Sequence, residues 1–273
     1  MRTRAQVEAH IRATPITGTP AARRAAFRTL AGPGPAGVAL ELGGVACTAF
    51  GDGPVALWLH GGGYMFGDST SHANCAAFLA ERADACIIVP DYRRAPEHAW
   101  PAPLYDAVAV LQDVGLTTPL IGDSAGGHLA LVLATQTQAA PASLALISPN
   151  TDRTGRSTTR KANSARDLMN DDETDRDLAK AAFGDRAASD PHVSPLCGDL
   201  GRLPPTYLTA SRAEVLAGDA QLLEDAARDQ GADITAIWHD DLFHMWTLWP
   251  KALAPARQTL TDIAAHMKTH RPC

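Results

Sequence analysis

Leu120-Ile-Gly122-Asp-Ser124-Ala-Gly126-Gly127 is the stretch on which the reading of this chain turns. An apolar run ends there and a helix pattern over 125–138 begins, with a serine at the corner. Glycines two before and two after that serine permit a cramped strand-to-helix turn that lifts the hydroxyl above the carboxyl edge of a sheet. A helix opening at Ala125 also presents its first N–H, and the positive end of its dipole, to an oxyanion beside the serine.

Outward from this corner, short apolar runs at 38–42, 45–50, 55–60, 86–90, 119–122, 144–148, 206–210 and 234–239 read as strands. Between the later ones lie helix patterns at 71–82, 101–114, 125–138, 218–230 and 250–267. Cys86-Ile-Ile-Val and Leu144-Ala-Leu-Ile are apolar on consecutive positions, as expected when helices cover both faces of a parallel sheet. The expectation is an α/β fold: a mostly parallel, doubly wound sheet of about eight strands, in a single domain over 1–273. The N-terminal 30 residues read as one or two helices broken at Pro15 to Pro20. Segment 152–190 is dense in Arg, Lys, Asp and Glu, with few large apolar residues, and reads as an insertion lying over the surface. It is either a solvated excursion or a cap over a site.

Composition narrows the function classes. The 273 residues suit one full-sized core. Lys plus Arg number 24 against 30 Asp plus Glu, a net charge of −6, and the basic pairs are scattered, so no nucleic-acid partner is expected. The longest apolar runs, at 55–59 and 129–134, fall far short of the roughly 18 residues of a membrane span. The charged N-terminus lacks the apolar centre of a signal peptide, which points to the cytoplasm. Five cysteines (Cys47, Cys75, Cys86, Cys197, Cys273) without CxxC spacing read as free thiols, with no metal site. Gly32-Pro-Gly-Pro-Ala-Gly37 matches GxGxxG only in letters, because Pro33 and Pro35 have no N–H to give a pyrophosphate. No P-loop is present, and no cofactor is expected.

A second motif, His60-Gly61-Gly62-Gly63, follows the strand at 55–59. Its glycines let backbone N–H groups of Gly62 and Gly63 approach a carbonyl oxygen, while His60 reads as a structural group. Serine is a weak nucleophile at neutral pH and needs a base whose tautomer an acid sets. Where a serine sits on such a turn, acid and then histidine follow in chain order. His244, in the loop after the last strand, is the favoured base, with His239 as the alternative. Glu214 is the first carboxylate after the preceding strand, and Asp219 is the next; either could be the acid. Tyr64, Met65, Phe66, Trp100, Phe243, Met245 and Trp246 flank these loops and are candidates for a substrate pocket or for core packing.

His60-Gly-Gly-Gly-Tyr, Asp91-Tyr-Arg-Arg-Ala-Pro-Glu97-His, Gly122-Asp-Ser-Ala-Gly-Gly127, Ser148-Pro-Asn-Thr-Asp152 and Phe243-His244 together resemble the hormone-sensitive-lipase-like family of α/β-hydrolases, bacterial carboxylesterases in particular. The resemblance runs from about Val55 to Met267. It implies an α/β-hydrolase fold and a catalytic Ser124, Glu214 and His244. It further implies an oxyanion hole from the N–H groups of Gly62, Gly63 and Ala125, and cap elements at about 1–33 and 150–192. It implies a serine esterase acting on short- to medium-chain acyl esters, with a homodimer as one assembly found among such enzymes. Glu214 departs from the aspartate more usual in the family, and Gly-Asp-Ser-Ala-Gly-Gly-His-Leu is also similar to aryl-formamide hydrolases. Lactone or aryl-formamide hydrolysis, a biosynthetic hydrolase or lyase, and a binding module on the same scaffold are the alternatives.

Overall fold

The computed structural model describes residues 3–271; Cys273 lies outside them. Two helices come first, α1 (Arg4–Ala13) and α2 (Pro20–Ala31), each opened by a threonine whose hydroxyl accepts an N–H of the first turn. Pro20 at the start of α2 brings the fixed φ a first turn wants, so the break expected at 15–20 ends there. Then β1 (Val38–Leu42), β2 (Val45–Phe50) and β3 (Val55–Leu59) lead through α3 (Ala73–Ala83) to β4 (Cys86–Pro90) and α4 (Ala102–Val114). The central crossover is β5 (Leu120–Asp123), α5 (Ala125–Gln136) and β6 (Leu144–Ile147). Segment 152–190 holds α6 (Thr159–Asn163) and α7 (Asp172–Phe183), and β7 (Thr206–Ser211), α8 (Ala217–Asp229), β8 (Ile234–His239) and α9 (Ala254–Thr269) close the chain.

The eight strands form one sheet in the order β1-β2-β4-β3-β5-β6-β7-β8. Only β2 runs antiparallel to its neighbours; β4 through β8 are parallel. The consecutive apolar runs are explained by two covered faces. Leu57, Leu59, Ile88, Leu120, Leu144 and Leu146 enter the cluster that includes Leu104, Leu111, Leu129 and Leu223. Their alternating neighbours Trp58, Ile87, Val89, Ile121 and Ile147 enter a second, with Leu79, Leu260 and Ile263. Helix α5 is buried from Ala125 through Thr135, which is why it is apolar on nearly every side, His128 and Thr135 excepted.

Two expectations need correction. The last helix begins at Ala254, not 250, because Pro255 inside a helix begun at 250 would remove a hydrogen bond and clash with the preceding turn. Segment 152–190 stays out of the sheet, but it is not simply a solvated surface: Asp152, Arg160, Asp167 and Asp175 are buried, together with Leu178 and Phe183. Arg160 bridges Asp175 and Asp219, its Nη2 lying 2.6 Å from Asp219, and Arg153 also pairs with Asp175. Arg153, Arg160, Asp175 and Asp219 are internal because they neutralise one another, whereas Asp167 is held by backbone N–H groups.

Candidate active site

Four loops at the carboxyl ends of β3, β5, β7 and β8 meet at one crevice, where a doubly wound sheet places its ligands. Ser124 sits between β5 and α5 with φ 54° and ψ −119°, a backbone conformation that side chains rarely adopt. The turn is possible because the strand and the helix nearly touch. A Cβ on Gly126 would lie 1.9 Å from the Leu59 carbonyl oxygen, and one on Gly122 would lie 2.4 Å from the Gly126 oxygen. These contacts are the physical content of the GxSxG spacing.

Ser124 Oγ lies 2.8 Å from His244 Nε2, and His244 Nδ1 lies 2.7 Å from Glu214 Oε2. The other oxygen of Glu214 accepts the Ser148 hydroxyl at 2.7 Å and the Ser211 N–H at 2.6 Å, so only one oxygen is left to face the imidazole. Glu214 and His244 are almost wholly buried. Burial works against an imidazolium at His244, but the Glu214 hydrogen bond and charge, then Asp167 and Asp123, outweigh it and raise the pKa above its ordinary 6.5.

The alternatives separate cleanly. Asp219 accepts the N–H groups of Thr151 and Asp152 and pairs with Arg160 in the charge network beneath α6, so it is not the partner of His244. His239 faces Thr259 at 3.4 Å and packs edge-on to Trp246.

The glycine loop turns tightly: the Gly62 carbonyl accepts N–H groups from Met65 and Phe66, and Gly62 has φ +119°. His60 is buried and stacked on Tyr92 at 4.0 Å; burial, then His72, pushes its pKa down to about 3, so it stays neutral as a structural group should. Asp123, beside the serine, accepts Gly61 N–H at 3.1 Å, Trp58 Nε1–H at 2.8 Å and faces His72 Nε2 at 3.2 Å. It thereby ties the glycine loop to the serine turn.

A narrow cleft beside Ser124 is lined by Gly63, Tyr64, Ala125, His128, Asn150, Arg153, Asp175, Leu178, Ala179 and Phe183. Its free volume of about 10 Å³ is close to that of one water. Of the aromatic candidates, Tyr64 lines it, with its hydroxyl 2.7 Å from His128 Nδ1. Phe66 lines a separate cavity between the α1–α2 region and residues 164–178. Trp100 packs edge-on to Tyr64 and His128 behind the cleft. Phe243 packs on Trp249, and Trp246 is fully buried against His239, so both belong to the core. Met245 and Met65 are buried as well. Met245 follows the base in a left-handed conformation. The polar lining from Asn150, Arg153 and Asp175 was not expected; Asn150 falls within the Ser148–Asp152 motif, while no local motif marks Arg153 or Asp175.

A family model described as alpha/beta hydrolase fold matches residues 56–248. The chain is 32% identical over 228 residues to an acetyl-hydrolase of Streptomyces hygroscopicus, covering 80% of this chain and 76% of that protein. A crystal structure of an esterase from the bacterial hormone-sensitive lipase family superposes with a TM-score of 0.91 at 27% identity, over 97% of both chains. The chain belongs to the hormone-sensitive-lipase-like α/β-hydrolases. An esterase of Acinetobacter venetianus is 31% identical over 222 residues, 76% of this chain and 72% of its own. As in other hormone-sensitive-lipase-like hydrolases, the scaffold is a mostly parallel sheet with helices on both faces. Among the described residues no helix is long and apolar enough to cross a membrane.

Proposed function

We propose that this chain, a carboxylic ester hydrolase, cleaves short- to medium-chain acyl esters with Ser124 as nucleophile, His244 as base and Glu214 as the acid that orients it. One observation carries this reading: the unbroken relay from Ser124 Oγ to His244 Nε2 at 2.8 Å and from His244 Nδ1 to Glu214 at 2.7 Å. His244 takes the serine proton as Oγ attacks the acyl carbon, and the carbonyl electrons move to oxygen. The N–H groups of Gly62, Gly63 and Ala125 hold that oxyanion. The oxyanion collapses, the C–O bond to the alcohol breaks, and the alcohol leaves with the proton from His244. Water repeats the sequence on the acyl-enzyme and restores the serine.

In this reading residues about 1–33 and 150–192 form a cap on one domain. Support comes from Leu178, Ala179 and Phe183 of α7, which line the cleft at Ser124. The narrowness of this cleft favours short acyl chains. A cytoplasmic setting has its support in the unpaired Cys47, Cys75, Cys86 and Cys197.

The test is hydrolysis of p-nitrophenyl esters from acetate to decanoate by the native protein and by Ser124→Ala. The native enzyme should prefer the shorter chains, and the variant should lose on the order of 10⁴-fold or more in kcat while remaining folded. Near-native turnover by Ser124→Ala would remove the nucleophile, and a preference that rises all the way to decanoate would contradict the acyl-length reading.

A further inference from the structure

Asp167 lies in the segment between α6 and α7 and is buried. Its Oδ1 accepts the backbone N–H of His244 at 3.1 Å and that of Met169 at 3.0 Å. Its Oδ2 accepts the backbone N–H of Val215, the residue directly after Glu214, at 3.0 Å. One carboxylate therefore grips both the loop that carries the base and the loop that carries the acid. The loops are also linked directly, by the Leu242 N–H to Ser211 Oγ at 2.9 Å, but that bond involves nothing from the segment above the site. Leu168 and Met169, next to Asp167, line the cavity shared with Ile11, Ile16 and Phe66, and so does Leu178, which also borders the cleft at Ser124.

We propose that Asp167 is a positioning residue: by holding the His244 loop and the Glu214 loop to segment 164–171 with one carboxylate, it keeps the relay in register. The inference rests on the triad reading above. Its physical basis is that a carboxylate with three N–H donors has little freedom, and that proton transfer along the relay is sensitive to shifts well below 1 Å. The charge also matters. His244 is faced by Glu214 from the loop after β7, by Ser124 and Asp123 from the serine turn, and by Asp167 from the segment above. Asp167 in turn faces His244 and Glu214; burial, then the Glu214 charge against the pull of His244, leaves its own pKa raised.

Asp167→Asn keeps one oxygen for the His244 N–H but turns an amide N–H₂ toward the Val215 N–H, a donor against a donor. It should lower kcat on the order of 10- to 10²-fold with little change in KM. The acid limb of its kcat/KM profile should move to lower pH, because a negative charge that favours the imidazolium is gone. Asp167→Glu keeps the charge but displaces the acceptors, so kcat should fall with the limb unmoved. Native kcat in Asp167→Asn, or a fall with the acid limb fixed, would overturn the proposal. Should the asparagine variant not fold, the glutamate variant decides: a lower kcat at unchanged KM supports the inference and native kcat refutes it. His244→Ala, measured alongside, separates the two readings. If it still turns over, the triad itself is wrong; if it is inactive while Asp167→Asn is native, only the role of Asp167 falls.

Discussion

Two regions of this molecule bury ionisable side chains, and they hold them differently. At the carboxyl edge of the sheet, His244 stands in a line between one hydroxyl and one carboxylate, each fixed by the end of a strand. In the segment above it, Arg160 binds Asp175, Asp219, the Asn150 side chain and the Asp152 carbonyl at once. The first arrangement leaves a reactive oxygen at the end of a proton path. The second also reaches the cleft, through Arg153 and Asp175, but it pairs carboxylates with guanidinium and backbone N–H groups and holds no imidazole to take a proton. Burial of charge at a cleft alone therefore does not mark a catalytic group; what marks it is an imidazole that joins a carboxylate to a hydroxyl.

That contrast can be broken in order of expected effect. Glu214→Gln should lower kcat by about 10³- to 10⁴-fold, as expected when the acid that sets an imidazole's tautomer is lost. Asp219→Asn, only five positions later, should leave turnover per folded molecule near native. Steady-state kinetics on the two variants decide it, and a larger loss from Asp219→Asn would reverse the assignment. The next effect is on stability. Arg160→Met leaves Asp175 without one of its two arginines and Asp219 without any, so it should cost about 3–5 kcal/mol. Urea denaturation measures this. A variant as stable as the native protein, or one that stays stable but loses turnover, would dissolve the distinction between the two regions.

The same contrast explains what could be read from the sequence. All eight strands follow from apolar runs, and the serine turn from its glycines, because the groups that meet there are neighbours in the chain or at predictable strand ends. Glu214 and His244 were reachable through chain order, although Glu214 and Asp219 could not be told apart by spacing; Ser148 and Ser211, which fix the orientation of Glu214, arrive from two different strand ends. Asp167 was not legible. Its partners in the two catalytic loops are 48 and 77 positions away and are backbone N–H groups, which leave no trace in residue identity. The charge of segment 152–190 misled in the same way, since composition suggests exposure until the pairing of Arg160 with Asp219 is seen. Trp246 and Phe243 were ambiguous for a different reason: an aromatic beside a functional loop packs equally well inward, and these two do.

In the proposed mechanism His244 makes Ser124 nucleophilic. Labelling with a fluorophosphonate, followed by mapping of the adduct across pH, tests it most directly. A single modified residue, Ser124, is expected. Its labelling rate should fall on acidification with a midpoint above 6.5, since the imidazole of His244 is held above that value, and it should collapse in His244→Ala. An adduct on another residue, or labelling of Ser124 at the native rate in His244→Ala, would contradict it.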